Sequence, residues 1–115
     1  METNTRYLEI LQANKSYLQQ QFAVDSLVVF GSVARNEMTE DSDVDIFVQM
    51  PPKMLLVIGI KQYLESLLNW PVDVVRNHPN MNPLLKKQIE KDGIRIFGAA
   101  WIGNEARALR GNIYS

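Results

Sequence analysis

An α/β (α+β) domain, a small mixed β-sheet with flanking helices, is the fold class this sequence predicts. Three observations predict it. The apolar residues switch repeatedly along the chain between helical spacing and short β-branched runs. The resulting order, αβαβαβαβ, is that of helices packed on a sheet. The chain has 115 residues, 46% hydrophobic and 22% charged, which is the length and composition of one globular domain able to bury roughly two thirds of its extended surface.

The elements follow in order. Leu8, Leu11, Leu18 and Phe22 recur at helical spacing, with Lys15 in the missing slot, so residues 3–21 read as one amphipathic helix. Ser26–Phe30 (SLVVF) reads as a buried strand. Gly31-Ser32 punctuates it, and a short helix over about 33–38 follows. Asp43–Val48 (DVDIFV) alternates and reads as a second strand. Pro51-Pro52 blocks its continuation and suits a helix start. Residues 54–68 form the next helix, with Leu56, Ile60, Leu64 and Leu67 on one side, and Asn69-Trp70-Pro71 ends it. Val72–Val75 is a third strand. Asn82 caps a helix with Pro83 at its first position, running to about Lys91. After Asp92-Gly93, Ile94–Phe97 is a fourth strand. Residues 1–97 are thus expected to form a single domain, and 98–115 a C-terminal extension. In that extension Ile102, Ala106, Leu109 and Ile113 fit a docking helix, while a frayed tail or a partner-binding arm fits equally well.

Composition removes several functions. There are no cysteines, which excludes disulfides, thiolate nucleophiles and cysteine-held zinc or iron–sulfur centres. The net charge is −1, whereas a protein that grips many phosphates of a nucleic acid carries a basic excess, so direct nucleic-acid binding is not expected. The N-terminus lacks a basic head followed by an apolar run, and Met54–Ile60 falls far short of the roughly 20 residues of a membrane helix. The expectation is a cytoplasmic protein with no membrane partner.

The stretch from Gly31 to Asp45 carries the chemistry. Asp43 and Asp45 are two apart, so in an extended strand both leave the same face. Two carboxylates about 4 Å apart repel by roughly 4 kcal/mol at an effective dielectric near 20, and protonation or a bound cation must offset that. Oxygen ligands without cysteine or a partner histidine suit Mg2+ or Mn2+ rather than zinc. Gly31-Ser32, between a buried strand and a helix, reads as a phosphate cradle: glycine admits a close ligand, and a helix start and a hydroxyl supply donors. Asp73, at the start of the third strand, adds a third carboxylate. If Ser32 and the aspartate pair share a site, the end of strand one meets the start of strand two, so these strands are antiparallel. Strands two and three are then parallel, with helix 54–68 as a right-handed crossover. Three carboxylates, two metal ions and a phosphate-binding turn suit in-line displacement at phosphorus, with one carboxylate available as base.

Gly31-Ser32, ten residues, then Asp43-Val44-Asp45 resembles the signature of nucleotidyltransferases of the DNA polymerase β superfamily. Phe30–Arg35, Ser42–Val48, Ile58–Glu65 and Val72–Val75 are similar to the small minimal nucleotidyltransferases of the MntA type, and the resemblance covers about residues 20–97. It implies a polymerase β-like nucleotidyltransferase fold, with Gly31 and Ser32 on the nucleotide phosphates and Asp43 and Asp45 binding both metals. Asp73 would complete the catalytic metal site and help activate the nucleophile. It also implies an antitoxin of a HEPN-type toxin, a protein adenylyltransferase that moves AMP from ATP to a toxin tyrosine with two Mg2+ ions and releases pyrophosphate. A small-molecule or RNA-end acceptor, or neutralisation by binding alone, are the alternatives. The oligomeric state, homo-oligomer or hetero-oligomer with the toxin, is left open. Asn36 stands where many relatives have glycine.

Each candidate has a plainer reading. Asp43 and Asp45 could end a solvated acidic loop with Glu40 and Asp41, Ser32 could cap a helix, and Asp73 could be an exposed strand start. Arg35 could touch phosphates or make a surface ion pair. His78 reads as a loop residue, and Lys86, Lys87, Lys91 and Arg95 as a solvated face. Tyr7, Tyr17, Tyr63 and Trp101 read as core or interface rather than base-stacking residues.

Overall fold

In a computed structural model of the chain, the backbone is described for residues 2–98 and 107–108, and the side chains for 5–98. The order is α1 (Glu2–Ala13), α2 (Lys15–Phe22), β1 (Ser26–Phe30), α3 (Gly31–Ala34), β2 (Val44–Gln49), α4 (Met54–Leu68), β3 (Val72–Arg76), α5 (Pro83–Asp92), β4 (Ile94–Phe97) and β5 (Arg107–Ala108).

The strands form one mixed sheet in the order β3-β2-β1-β4-β5. β1 runs antiparallel to β2 and to β4, and β2 runs parallel to β3, the directions expected from the shared site. Central β1 is buried along its whole length. Its alternate residues enter two cores. Leu27 and Val29 join Val44, Ile46 and Val48 beneath α1, α2 and α4, where Leu11, Leu18, Ile60 and Leu64 close the layer. Val28 and Phe30 join Phe47 on the other face, covered by Ile89 of α5. The period of two in the strands and of 3.6 in the helices thus builds a helix–sheet–helix sandwich.

Local chemistry sets the boundaries. The expected single helix 3–21 is two helices meeting at Asn14. The Asn14 side chain donates to the Ile10 carbonyl at 2.9 Å and accepts from the Tyr63 hydroxyl at 2.7 Å, so a residue that competes with the helical ladder is held there by α4. The short helix begins at Gly31 and ends at Ala34 rather than spanning 33–38, because Asn36 takes φ 59°. α5 starts as expected: Asn82 Oδ1 accepts from the Leu84 N–H at 2.8 Å, with Pro83 in the first turn. In the extension, Arg107–Ala108 pair in parallel with β4. These two residues are extended, not part of a helix. Ile102, Ala106, Leu109, Ile113 and Trp101 lie outside the described residues.

Candidate active site

The site is built at the junction of β1 and α3. Gly31 has φ +74°, a left-handed conformation that costs a side-chain-bearing residue about 1–2 kcal/mol. A Cβ there would also run into the Asp45 carboxylate. Glycine is therefore demanded twice, by the turn and by the approach of the Asp45 carboxylate. Ser32 is half-buried beside it. The capping position of α3 belongs to Phe30, which makes no side-chain cap, so helix capping does not explain Ser32.

The carboxylates come next. Phe30 pairs with Asp45 across β1 and β2, and Asp45 pairs with Asp73 across β2 and β3. Asp45 shares its strand parity with Phe47, and Asp73 with Val75, both packed on the α5 side. All three aspartates thus stand at one end of the sheet, on the α5 face, beside the Gly31-Ser32 turn. Asp43 lies one residue before β2 and is exposed, as is Asp73, while Asp45 is half-buried.

Burial pushes the Asp45 carboxyl up to about 6, with Asp73 and then Asp43 adding repulsion and Arg35 opposing it. Among the described residues no three His, Cys, Asp or Glu side chains are drawn together as a ready cluster for an ion. The carboxylates stand on neighbouring strands at one end of the sheet instead. An oxygen-only donor set under mutual repulsion fits a hard divalent cation, which cancels that repulsion.

Arg35 makes the ion pairs that its plainer reading foresaw. It donates to Glu37 at 2.9 Å and, across the fold, to Asp92 at the end of α5 at 3.1 Å. His78 accepts from the Asn80 N–H in a turn and is a loop residue. Lys86, Lys87 and Lys91 are exposed on α5. Tyr7 is buried in the core, and Tyr17 stacks on Tyr63 at 4.7 Å.

Three residues outside the sequence-derived set frame the site. The Trp70 indole N–H donates to the Ser42 carbonyl at 2.6 Å. Glu65 accepts from the Val72 N–H at 3.1 Å, and Lys61 donates to the Val72 carbonyl at 2.8 Å. The nearest signals in the sequence are position and resemblance: Trp70 lies three residues before Asp73, and Lys61 and Glu65 lie in the segment Ile58–Glu65.

The family described as nucleotidyltransferase domain matches residues 9–96. The chain belongs to this family. All six candidate residues, from Gly31 to Asp73, fall inside the matched span. A Methanocaldococcus jannaschii protein, provisionally named a protein adenylyltransferase, is 41% identical over 98 residues, covering 84% of this chain and 100% of its own. The protein adenylyltransferase MntA of Thermococcus cleftensis is 43% identical over 88 residues, covering 75% of this chain and 84% of its own. Among solved structures, a chain from the complex of a tri-AMPylated Shewanella oneidensis HEPN toxin with an MNT antitoxin superposes with TM-score 0.59 at 20% identity. The match covers 80% of this chain and 73% of that one, a likeness of fold. The strand directions of this nucleotidyltransferase domain are those expected if the Gly31-Ser32 turn and the aspartates share a site.

Proposed function

We propose that this nucleotidyltransferase domain is a protein adenylyltransferase. It transfers AMP from ATP to a tyrosine hydroxyl of a cognate HEPN-type toxin and acts as that toxin's antitoxin. The observation that carries the reading is the line Asp45–Asp73 across parallel strands, with Asp43 beside it and the Gly31-Ser32 turn packed on Asp45. The named activity of the relatives and the toxin–antitoxin setting of the fold neighbour support donor and acceptor.

In this reading the acceptor oxygen attacks the α-phosphorus. The bond from that phosphorus to the bridging oxygen breaks, and pyrophosphate leaves. Asp43, Asp45 and Asp73 would hold the divalent cations, and the Asp73 carboxylate would take the hydroxyl proton. Two Mg2+ ions, with Mn2+ an alternative, would supply Lewis acidity there. The Gly31 and Ser32 N–H groups and the Ser32 hydroxyl hold the phosphates. Arg35, which pairs with Glu37 and Asp92, is a further candidate for the phosphates. Residues 1–97 form the catalytic unit and 98–115 an extension available to the partner. A cytoplasmic reaction is part of this reading; among the described residues no helix is long and apolar enough to cross a membrane.

The test uses ATP labelled at the α-phosphate, Mg2+, the purified chain and its cognate toxin, with the Asp43→Asn, Asp45→Asn variant as control. Label fixed in the toxin band, and lost with the variant, is the expected result. Label in RNA or in a small amine or alcohol moves the acceptor. Undiminished toxin neutralisation by the variant at ordinary expression levels replaces catalysis with binding.

A further inference from the structure

Asp43 stands at the mouth of the site yet belongs to no secondary-structure element. It follows a turn held by its own contacts: the Ser42 N–H donates to the Thr39 carbonyl at 3.1 Å, and the Thr39 N–H donates to the Ser42 hydroxyl at 2.9 Å. Those bonds fix the shape of the turn but not its place on the protein. An exposed carboxylate on such a turn would be free to swing away from Asp45 and Asp73.

Two bonds prevent this, and they come from consecutive residues. The peptide group before Asp43 is held through the Ser42 carbonyl, which accepts the Trp70 indole N–H at 2.6 Å. The peptide group after it is held through the Val44 N–H, which donates to the Pro71 carbonyl at 2.9 Å. Peptide groups are planar, so anchoring the two that flank one Cα leaves that residue's φ and ψ little freedom. The direction of the Asp43 Cα–Cβ bond is thereby set, and the reference for both anchors is the segment that continues into β3 and Asp73. Trp70 is itself well seated. It follows Asn69, which ends α4 in the left-handed conformation, and its ring packs beside buried Tyr7 at 6.5 Å.

We propose that Trp70 is a positioning residue for the cation site: its indole N–H, by holding the Ser42 carbonyl, fixes Asp43 against Asp45 and Asp73. This rests on the reading of those aspartates as the cation ligands. The plainer role for Trp70 is to fill space beside Tyr7, and that role needs the ring but not the N–H.

The test separates ring from donor. Trp70 is replaced in the full chain by benzothienylalanine, a near-isostere without the N–H, and separately by 7-azatryptophan, which keeps it. Trp70→Phe is the genetically simple counterpart. Mn2+ alone is titrated into each protein and followed by electron paramagnetic resonance, with thermal unfolding measured alongside. Groups that orient metal ligands typically contribute about 10–100-fold to metal affinity. The expected result is Mn2+ binding weakened about tenfold by benzothienylalanine and by Trp70→Phe, and restored by 7-azatryptophan, with the benzothienylalanine protein unfolding within a few degrees of the natural one. The Mg2+ concentration that half-saturates AMP transfer should rise in parallel. Mn2+ affinity unchanged within about twofold in the benzothienylalanine protein overturns the proposal. The Asp43→Asn, Asp45→Asn protein is titrated as well. If it binds Mn2+ as tightly as the natural chain, the reading of the site itself falls, and the Trp70 proposal with it.

Discussion

Gly31 and Asp45 occupy space that only one of them can fill: a single methyl group on Gly31 would overlap the Asp45 carboxylate. The turn that follows β1 and the carboxylate on β2 are therefore one structure. Gly31→Ala is expected to cost about 2 kcal/mol or more, from the left-handed φ and the collision together, and to abolish AMP transfer. A thermal-melt double-mutant cycle with Asp45→Ala separates the two causes. If the collision matters, Gly31→Ala costs less in the Asp45→Ala background, and simple additivity refutes this.

The raised Asp45 carboxyl predicts an acid-side stability profile. Its folded value is about 6, above that of a carboxylate in an unfolded chain, so between about pH 4 and pH 6 the native state binds the extra proton. Stability conferred by this group is thus present at the acid end and lost as pH rises through the window. Because Asp45 is half open to water, the contribution is about 1–2 kcal/mol. Metal-free Asp45→Asn protein should unfold several degrees higher than the natural chain at pH 8 and lack the decline between pH 4 and 6. Identical pH profiles for the two proteins would rule this account out.

Ligand linkage follows from the same repulsion. Mg2+ added at pH 8 should raise the melting temperature of the natural chain in a concentration-dependent way, and raise it far less in the Asp43→Asn, Asp45→Asn variant. Equal rises in both would place the stabilising ion elsewhere.

The pair Lys61–Glu65 holds both backbone polar groups of Val72, the residue before Asp73. The Glu65 carboxyl lies below its usual value, first through the Val72 N–H and then through Lys61. Glu65→Ala should accelerate hydrogen exchange of the Val72 amide about tenfold or more while leaving central β1 amides unchanged. An unaltered Val72 rate would show that the β3 edge holds itself.

Asn36 carries φ 59°, in the left-handed region that favours glycine. Asparagine tolerates that conformation and β-branched residues do not. Asn36→Gly should change stability by a few tenths of a kcal/mol, and Asn36→Val should cost about 1–2 kcal/mol, read by chemical denaturation. Equal costs would mean that the side chain, not the backbone angle, decides this position.

Much of the site was legible because its residues are uncommon where they stand. Aspartate opening two apolar strands, and Gly-Ser closing another, break the pattern of a β-rich core, and the spacing ties them together. Strand directions followed from requiring one shared site, and the pairings Phe30 with Asp45 and Asp45 with Asp73 bear that out. The break at Asn14 was not legible, because Leu8, Leu11 and Leu18 keep helical spacing across it and the group that grips Asn14 is Tyr63, 49 residues away. The contact of Trp70 is not legible for the same reason: its partner, the Ser42 carbonyl, is 28 residues distant.

The sequence by itself determined the fold class, the succession of elements from β1 to β4 and the candidate carboxylates, since periodicity, turn residues and residue type are local properties. The tertiary structure alone decided how those carboxylates are held and charged. The near-contact of Gly31 with Asp45, the raised Asp45 carboxyl and the anchoring of Asp43 by Trp70 and Pro71 arise between residues far apart in the chain. Burial, charge proximity and hydrogen-bond direction exist only once the strands have been laid side by side.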